Sequence, residues 1–288
     1  MYRSMLFVPG DSEKKIAKGL QTGADAVILD LEDAVAPTQK PAARVMVREL
    51  LQKTTERPCA LFVRINPLPS GMALDDLTAV MAGAPDGIVL PKAASPQDAV
   101  QLAHYLDAFE AQHGIPAGKT RIVPVSTEVP EALFALGSYK VVGPRLAALT
   151  WGAEDLAAAI GAISNQNADG NWSEPYQMAR SLCLFAASAA GVAAVDTLYA
   201  DFRNPEGLLA ASRQARRDGF AGKIAIHPDQ VAVINQAFTP SEEELAHARR
   251  VIELFEANPG AGTLSLDGRM VDMPHLVQAR KIVALARA

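Results

Sequence analysis

The chain has 288 residues, 49% of them hydrophobic and 20% charged, which supplies a core large enough for a single α/β barrel of about 250 residues. A formal net charge of −5 leaves no electrostatic footprint for nucleic acid. Two distant cysteines, Cys59 and Cys183, indicate neither a disulfide framework nor a zinc site, and fit a reducing compartment.

The opening "MYRSMLFVPGDSEKK" lacks the layout of a signal peptide, and no apolar run approaches the roughly 18 residues of a membrane span. The expectation is a cytoplasmic protein with no membrane or nucleic-acid partner. In chain order, short apolar runs follow at even intervals: "SMLFVPG", "AVILDLE", "CALFVRIN", "GIVLPKA", "RIVPVSTE", "LAALTWGAED", "VAAVDTLY" and "GKIAIHP". Each is apolar on consecutive positions and is stopped by Gly, Pro or a charge, as parallel strands buried on both faces are. Between them "PAARVMVRELLQK", "SPQDAVQLAHYLDAFEAQHG", "VPEALFALGSYKVV", "YQMARSLCLFAASAAG" and "NPEGLLAASRQARRDG" read as helices, several opened by Ser, Asn or Pro and closed by Gly.

Eight strands alternating with helices predict a (β/α)8 TIM barrel over residues 1–240. The polar stretch "SNQNADGNWSEP" after the sixth strand is long enough for a mobile lid. Residues 241–288 exceed what the barrel needs and predict a C-terminal helical extension. Its first helix, "SEEELAHARRVIELFEA", carries a capping box of Ser241 and Glu244. The tail "NPGAGTLSLDGRMVDMPHLVQARKIVALARA" ends in another helix, whose Met273, Leu276, Val277, Ile282, Val283 and Leu285 form an apolar face for a second subunit to cover.

In such barrels the reactive groups gather at the C-terminal ends of the strands. Asp30, Glu32 and Asp33 follow the second strand, Arg64 and Asn66 the third, Lys92 the fourth, Glu128 the fifth, Glu154 and Asp155 the sixth, and His227 the eighth. Carboxylates from neighbouring strands, with no Cys and one His at this rim, suit a hard cation such as Mg²⁺ held by one or two carboxylates plus substrate and water. Glu128 and Asp155 are the natural pair. The planar fork of Arg64 suits an anionic or enolate oxygen. Glu32 and Asp33 are placed to orient Arg64 or metal-bound water.

"RSMLFVPG", "VILDLEDAVAPTQK", "FVRINP", "LPKA", "WGAEDLAAAIGA" and "GKIAIHPDQV" occur in the order and spacing of the citrate lyase β-subunit-like family, which the chain resembles over nearly its whole length. That family belongs to the HpcH/HpaI aldolase superfamily of Mg²⁺-dependent barrels. The resemblance implies Mg²⁺ on Glu128 and Asp155, substrate on Arg64, and contacts to a CoA-linked substrate from Phe7, Lys14, Lys18, Ile226 and His227. "GRMVDMPHLVQARKIV" resembles the C-terminal segment of the malyl-CoA and citramalyl-CoA lyases, which implies that Asp272 crosses into a neighbouring subunit's site as the acid/base. A homo-oligomer follows, a trimer or a multiple of three. The implied activity is cleavage of a short 3-hydroxyacyl-CoA, such as malyl-CoA or citramalyl-CoA, to acetyl-CoA and a 2-oxoacid. The alternatives are a malyl-CoA thioesterase, the β subunit of a citrate lyase complex, or a non-catalytic acyl-CoA-binding assembly subunit. The sequence departs from relatives at Asn204, where many carry Asp.

Overall fold

The eight apolar runs are eight parallel strands in the computed structural model, which describes residues 2–285. They are β1 (Ser4–Pro9), β2 (Ala26–Asp30), β3 (Ala60–Arg64), β4 (Gly87–Leu90), β5 (Arg121–Pro124), β6 (Ala148–Thr150), β7 (Ala193–Asp196) and β8 (Gly222–Ala225). Their hydrogen-bonded order is β5-β4-β3-β2-β1-β8-β7-β6. Parallel bridges Ile122↔Leu146 and Val125↔Thr150 join the two ends. There the Ala147 N–H donates to the Ile122 carbonyl at 2.9 Å and the Ser126 N–H to the Thr150 carbonyl at 2.8 Å. The sheet therefore closes on itself with helices around it, a TIM barrel.

Side chains alternate faces along a strand, so each inward position fixes the next one two residues on. Met5, Ala26, Ile28, Phe62, Val89, Val123, Ala148, Val195 and Ile224 fill the barrel interior. Gly87 leaves space for this packing, because a Cβ there would lie 2.3 Å from the Phe62 ring. Continuing the alternation from Met5, Ile28 and Phe62 brings Phe7, Asp30 and Arg64 to the inside of the C-terminal rim. The register pairs Asp30 directly with Arg64.

One expected helix differs. "VPEALFALGSYKVV" contains a single α-turn, Pro130–Leu133, and then a 3₁₀ segment, Leu136–Arg145, broken at Gly143 with φ 69° and ψ −150°. Gly137 and Gly143 weaken an α-helix and Pro144 offers no N–H, so the tighter, shorter form wins. The polar stretch after β6 is pinned by an antiparallel bridge, Gln166↔Trp172, and by the Trp172 ring 5.3 Å from that of Trp151. Asn204 caps the helix Pro205–Asp218 by accepting from the Gly207 N–H at 2.8 Å, a role Asp would also fill.

The chain divides into two compact units, Tyr2–Asn235 and the residues from Gln236 onward. In the second, Ser241 and Glu244 form the expected capping box at the start of the helix Glu242–Glu256. A hairpin of β9 (Thr263–Leu266) and β10 (Arg269–Asp272) follows, then the helix Met273–Leu285. The apolar face expected to await another subunit is split. Leu276, Ile282 and Val283 pack with Ala248, Val251 and Phe255 of the preceding helix, whereas Met273 and Val277 are about half exposed. The hairpin reverses the chain, which lets the tail cover much of its own apolar surface. Among the described residues no helix is long and apolar enough to cross a membrane.

Candidate active site

Arg64 is held in one plane by the strand next to its own. Its Nε and Nη2 donate to the two oxygens of Asp30 at 2.8 and 2.6 Å, a bidentate pair. The guanidinium stacks over the Phe7 ring at 4.6 Å. Nη1 lies 2.7 Å from Glu32 Oε2, but off the line of a hydrogen bond, so that buried oxygen has no hydrogen-bond partner. With five N–H groups to distribute, Arg64 keeps donors on Nη1 and Nη2 beyond those given to Asp30. Burial lowers the pKa of a guanidinium, but here the Asp30 and Glu32 carboxylates outweigh it and raise the pKa above its ordinary value. The orienting carboxylate of Arg64 is thus first Asp30. Glu32 is a second, and Asp33 is paired elsewhere.

A buried lattice holds the loop after β2. Lys40, 7% exposed, donates to the carbonyls of Leu31 and Glu32 at 3.1 and 3.0 Å and to Asn66 Oδ1. Asn66 gives both its amide N–H and its side chain to Asp76 Oδ2, each at 2.7 Å, and Arg44 Nε closes on Asp76 Oδ1 at 2.7 Å. Asp30 adds bonds from the N–H groups of Glu32 and Ala34 at 2.9 and 3.2 Å. Of the crowded carboxylates of "LDLED", Asp30 is therefore fixed by the backbone that follows it and is not merely solvated.

Glu128 follows β5, where Thr127 Oγ1 and Gly152 exchange hydrogen bonds of 3.1 and 3.2 Å that clamp the ends of β5 and β6 together. A Cβ on Gly152 would come 2.7 Å from Glu128 Cγ, so the glycine makes room for that side chain. Glu128 Oε2 accepts from the Lys92 N–H at 2.6 Å. Burial, reinforced by the charges of Asp155 and Glu32, pushes its carboxyl up to about 8. The Lys92 ammonium donates to Glu32 Oε1 and, at 2.9 Å, to Asp33 Oδ2, and lies 3.3 Å from Asp155 Oδ1. Burial lowers its pKa, but the Glu32, Asp33 and Glu128 carboxylates outweigh that and raise it above the ordinary value.

This donor set fits a hard divalent cation. Buried like-charged carboxylates raise one another's pKa, and a cation between them removes that repulsion. Among the described residues no group of three or more His, Cys, Asp or Glu side chains forms a metal cage. Two carboxylates plus substrate and water is the usual holding of Mg²⁺.

The other expected residues each have a local setting of their own. Lys14 and Lys18 are exposed, four apart on the helix Glu13–Leu20, and their side chains have no polar partner among the described residues. His227 stacks on Phe202 at 4.7 Å and its Nδ1 accepts from the Asp229 N–H at 3.3 Å. The Ile226 N–H donates to Gln230 Oε1 at 2.8 Å, and its side chain is partly exposed. Asp272 closes β10 with its Oδ1 2.5 Å from His275 Nδ1, and its own N–H donates to the same ring nitrogen at 3.2 Å. His275 and Lys40 are partners that reading the sequence did not assign, and Asp30 it placed among the orienting carboxylates of the rim without pairing it with Arg64. Of these, Asp30 was the most accessible, as the charge ending an apolar run beside an arginine-ended one.

The sequence pattern of the HpcH/HpaI aldolase/citrate lyase family matches residues 3–228. This chain belongs to that family. Within it, the chain is 36% identical to the mitochondrial citramalyl-CoA lyase of Rattus norvegicus, over 99% of this chain and 86% of the relative. It is 33% identical to the citrate lyase subunit beta of Haemophilus influenzae, over 99% and 97% of the two chains. CitE from Mycobacterium tuberculosis, solved in complex with magnesium, acetoacetate and coenzyme A, superposes with a TM-score of 0.81 at 35% identity, covering 99% of this chain and 98% of that one. HpcH/HpaI family membership and the closed barrel agree with the resemblance carried by the six motifs.

Proposed function

We propose that this chain is a Mg²⁺-dependent carbon–carbon lyase that cleaves a short 3-hydroxyacyl-CoA of the malyl-CoA or citramalyl-CoA type. The observation that carries the reading is the knot at one rim, where Glu128, Asp155 and Glu32 gather about Lys92, and Glu32 also pairs with a guanidinium fixed by Asp30. The names of the rat and Haemophilus influenzae relatives support a lyase, and the magnesium, acetoacetate and coenzyme A complex of CitE supports the cofactor and the thioester.

Glu128 and Asp155 would hold Mg²⁺, which supplies Lewis acidity toward the substrate's carboxylate and hydroxyl. Arg64 donates from Nη1 and Nη2 to the oxygen on which charge builds, and Asp30 and Phe7 keep it from turning away. The C–C bond breaks with its electron pair on the thioester side. The substrate hydroxyl gives its proton to a rim carboxylate as its carbon becomes the carbonyl of the 2-oxoacid, and the thioester enolate takes a proton to give acetyl-CoA, so the proton count is unchanged. Asp272 of a neighbouring copy is the donor in this reading, with His275 as its hydrogen-bond partner. Lys14 and Lys18 take the phosphates of CoA from the helix Glu13–Leu20, and Ile226 and His227 flank the same ligand. The assembly is a homo-oligomer, a trimer or a multiple of three, working in the cytoplasm, where free Cys59 and Cys183 are at home.

The test is a purified-protein assay with malyl-, citramalyl- and citryl-CoA that separates acetyl-CoA from free CoA. Acetyl-CoA and a 2-oxoacid are expected with Mg²⁺, and neither with EDTA. Glu128→Ala and Asp155→Ala should abolish turnover and leave the circular-dichroism spectrum intact, because rim ligands are not core residues. Free CoA as the sole thiol product would make the protein a thioesterase, and binding without turnover would make it an assembly subunit. Full activity of either variant in metal-free buffer would remove the metal pair.

A further inference from the structure

Lys92 touches every carboxylate of the proposed metal site. Its ammonium is shared among Glu32, Asp33 and Asp155, and its backbone N–H holds Glu128 Oε2 at 2.6 Å. The residue sits in the left-handed region, φ 50°, which a residue with a Cβ seldom adopts unless its surroundings hold it there. Here they do, through bonds to both the amide and the side chain. The Asp33 carboxylate is 61% exposed and free to follow the ammonium, while Glu32 is 2% exposed and fixed by Arg64 on its other side.

We propose that Lys92 is the positioning residue of this cluster and its built-in counter-cation, and that a divalent ion binds by taking Asp155 over from the lysine ammonium. The inference rests on the reading of Glu128 and Asp155 as the metal pair. A divalent ion held by Asp155 and an ammonium bonded to the same carboxylate would be positive charges close to one another. They repel, so the ammonium yields the oxygen it holds least closely, Asp155 at 3.3 Å, and retains Glu32 and Asp33. Metal binding is then an exchange of one cation for another. The lysine balances one charge of the cluster before the metal arrives, and the amide of Lys92 keeps Glu128 in place throughout.

Mn²⁺ alone is the probe, with the free ion counted by electron paramagnetic resonance. Lys92→Met and Lys92→Gln remove the competing charge and should tighten Mn²⁺ binding by about tenfold. In EDTA the same variants should melt below the wild type, and added Mn²⁺ should close that gap. Lys92→Arg retains the charge and should bind Mn²⁺ as the wild type does. A purely structural lysine predicts the opposite pattern, with binding unchanged or weakened in the neutral variants, and that result would overturn the proposal. So would neutral variants that fail to fold even with Mn²⁺ present. Glu128→Gln is the control for the underlying reading. If it binds Mn²⁺ like the wild type, the metal pair itself is wrong, whatever Lys92 does.

Discussion

Glu128 gives the site its pH dependence. Burial first, then the neighbouring charges of Asp155 and Glu32, raise its carboxyl from 4.5 to about 8. A carboxyl raised in the folded state binds its proton more tightly there than in the unfolded chain, so its contribution favours folding below the unfolded value. That contribution is lost as pH rises through about 8. In EDTA the melting temperature should therefore fall from about pH 4.5 to about pH 8 and level off above that, and Glu128→Gln should flatten the decline. A metal binds the deprotonated form, so Mg²⁺ binding at pH 7 should release about one proton. Calorimetry in two buffers of different ionisation heat measures that release, and no buffer dependence would sink the assignment. Arg64 makes a separate prediction. Arg64→Lys keeps the charge but loses the fork that Asp30 and Phe7 hold flat, and turnover should drop by roughly 10²-fold or more. A lysine variant with wild-type kcat would show that a point charge suffices.

At the scale of elements, the strands were legible because a strand covered on both faces is apolar at every position, and each run ended in a turn residue or a charge. The rim followed from the same pattern, since the first charge after each run marks the strand's C-terminal end. Beyond Glu32 beside Arg64, the partners at the rim were not legible. Asp30 meets Arg64 across 34 positions and Lys92 meets Glu32 across 60, through a register that no local pattern encodes. The 3₁₀ segment Leu136–Arg145 was marked by Gly137, Gly143 and Pro144, and the apolar spacing around them masked the signal. Lys40 is the clearest case of a residue whose sequence gives no warning. It reads as a solvated lysine opening a helix, yet it is buried and ties the loop after β2 to Asn66. Lys40→Met would leave Asn66 Oδ1 without its donor and strip one of two donors from each of the Leu31 and Glu32 carbonyls, which keep Asn66 Nδ2 and the Val35 N–H, at a cost of about 1–3 kcal/mol for the group that stays unsatisfied. Denaturant unfolding should register a loss in that range or above, together with a lower kcat, because the displaced loop carries Glu32. An unchanged midpoint would mean that water replaces the ammonium.

At the scale of the whole molecule, the residues after Gln236 pose the remaining question. They form a compact unit of their own, in which the hairpin ends on Asp272 and the carboxylate meets His275. Much of the last helix's apolar surface is used within that unit, so the case for a neighbouring copy rests on what stays exposed, Met270, Met273 and Val277, all clustered about Asp272 in the chain. An acid whose flanking residues are apolar and exposed is suited to docking against another subunit and delivering a proton there. Asp272→Ala should then bind Mg²⁺ and 2-oxoacid normally and lose roughly 10²–10⁴ in turnover, the usual reach of a general acid–base group. Arg64→Ala should be equally inactive, for want of its oxygen donor. Mixed under subunit exchange, the two variants should regain part of the activity, because some interfaces pair an intact Arg64 with an intact Asp272. Recovery should scale with the exchanged fraction, followed by native mass spectrometry of labelled subunits. Exchange without recovery would confine Asp272 to its own barrel or remove it from the reaction, and the shared site would have to be abandoned.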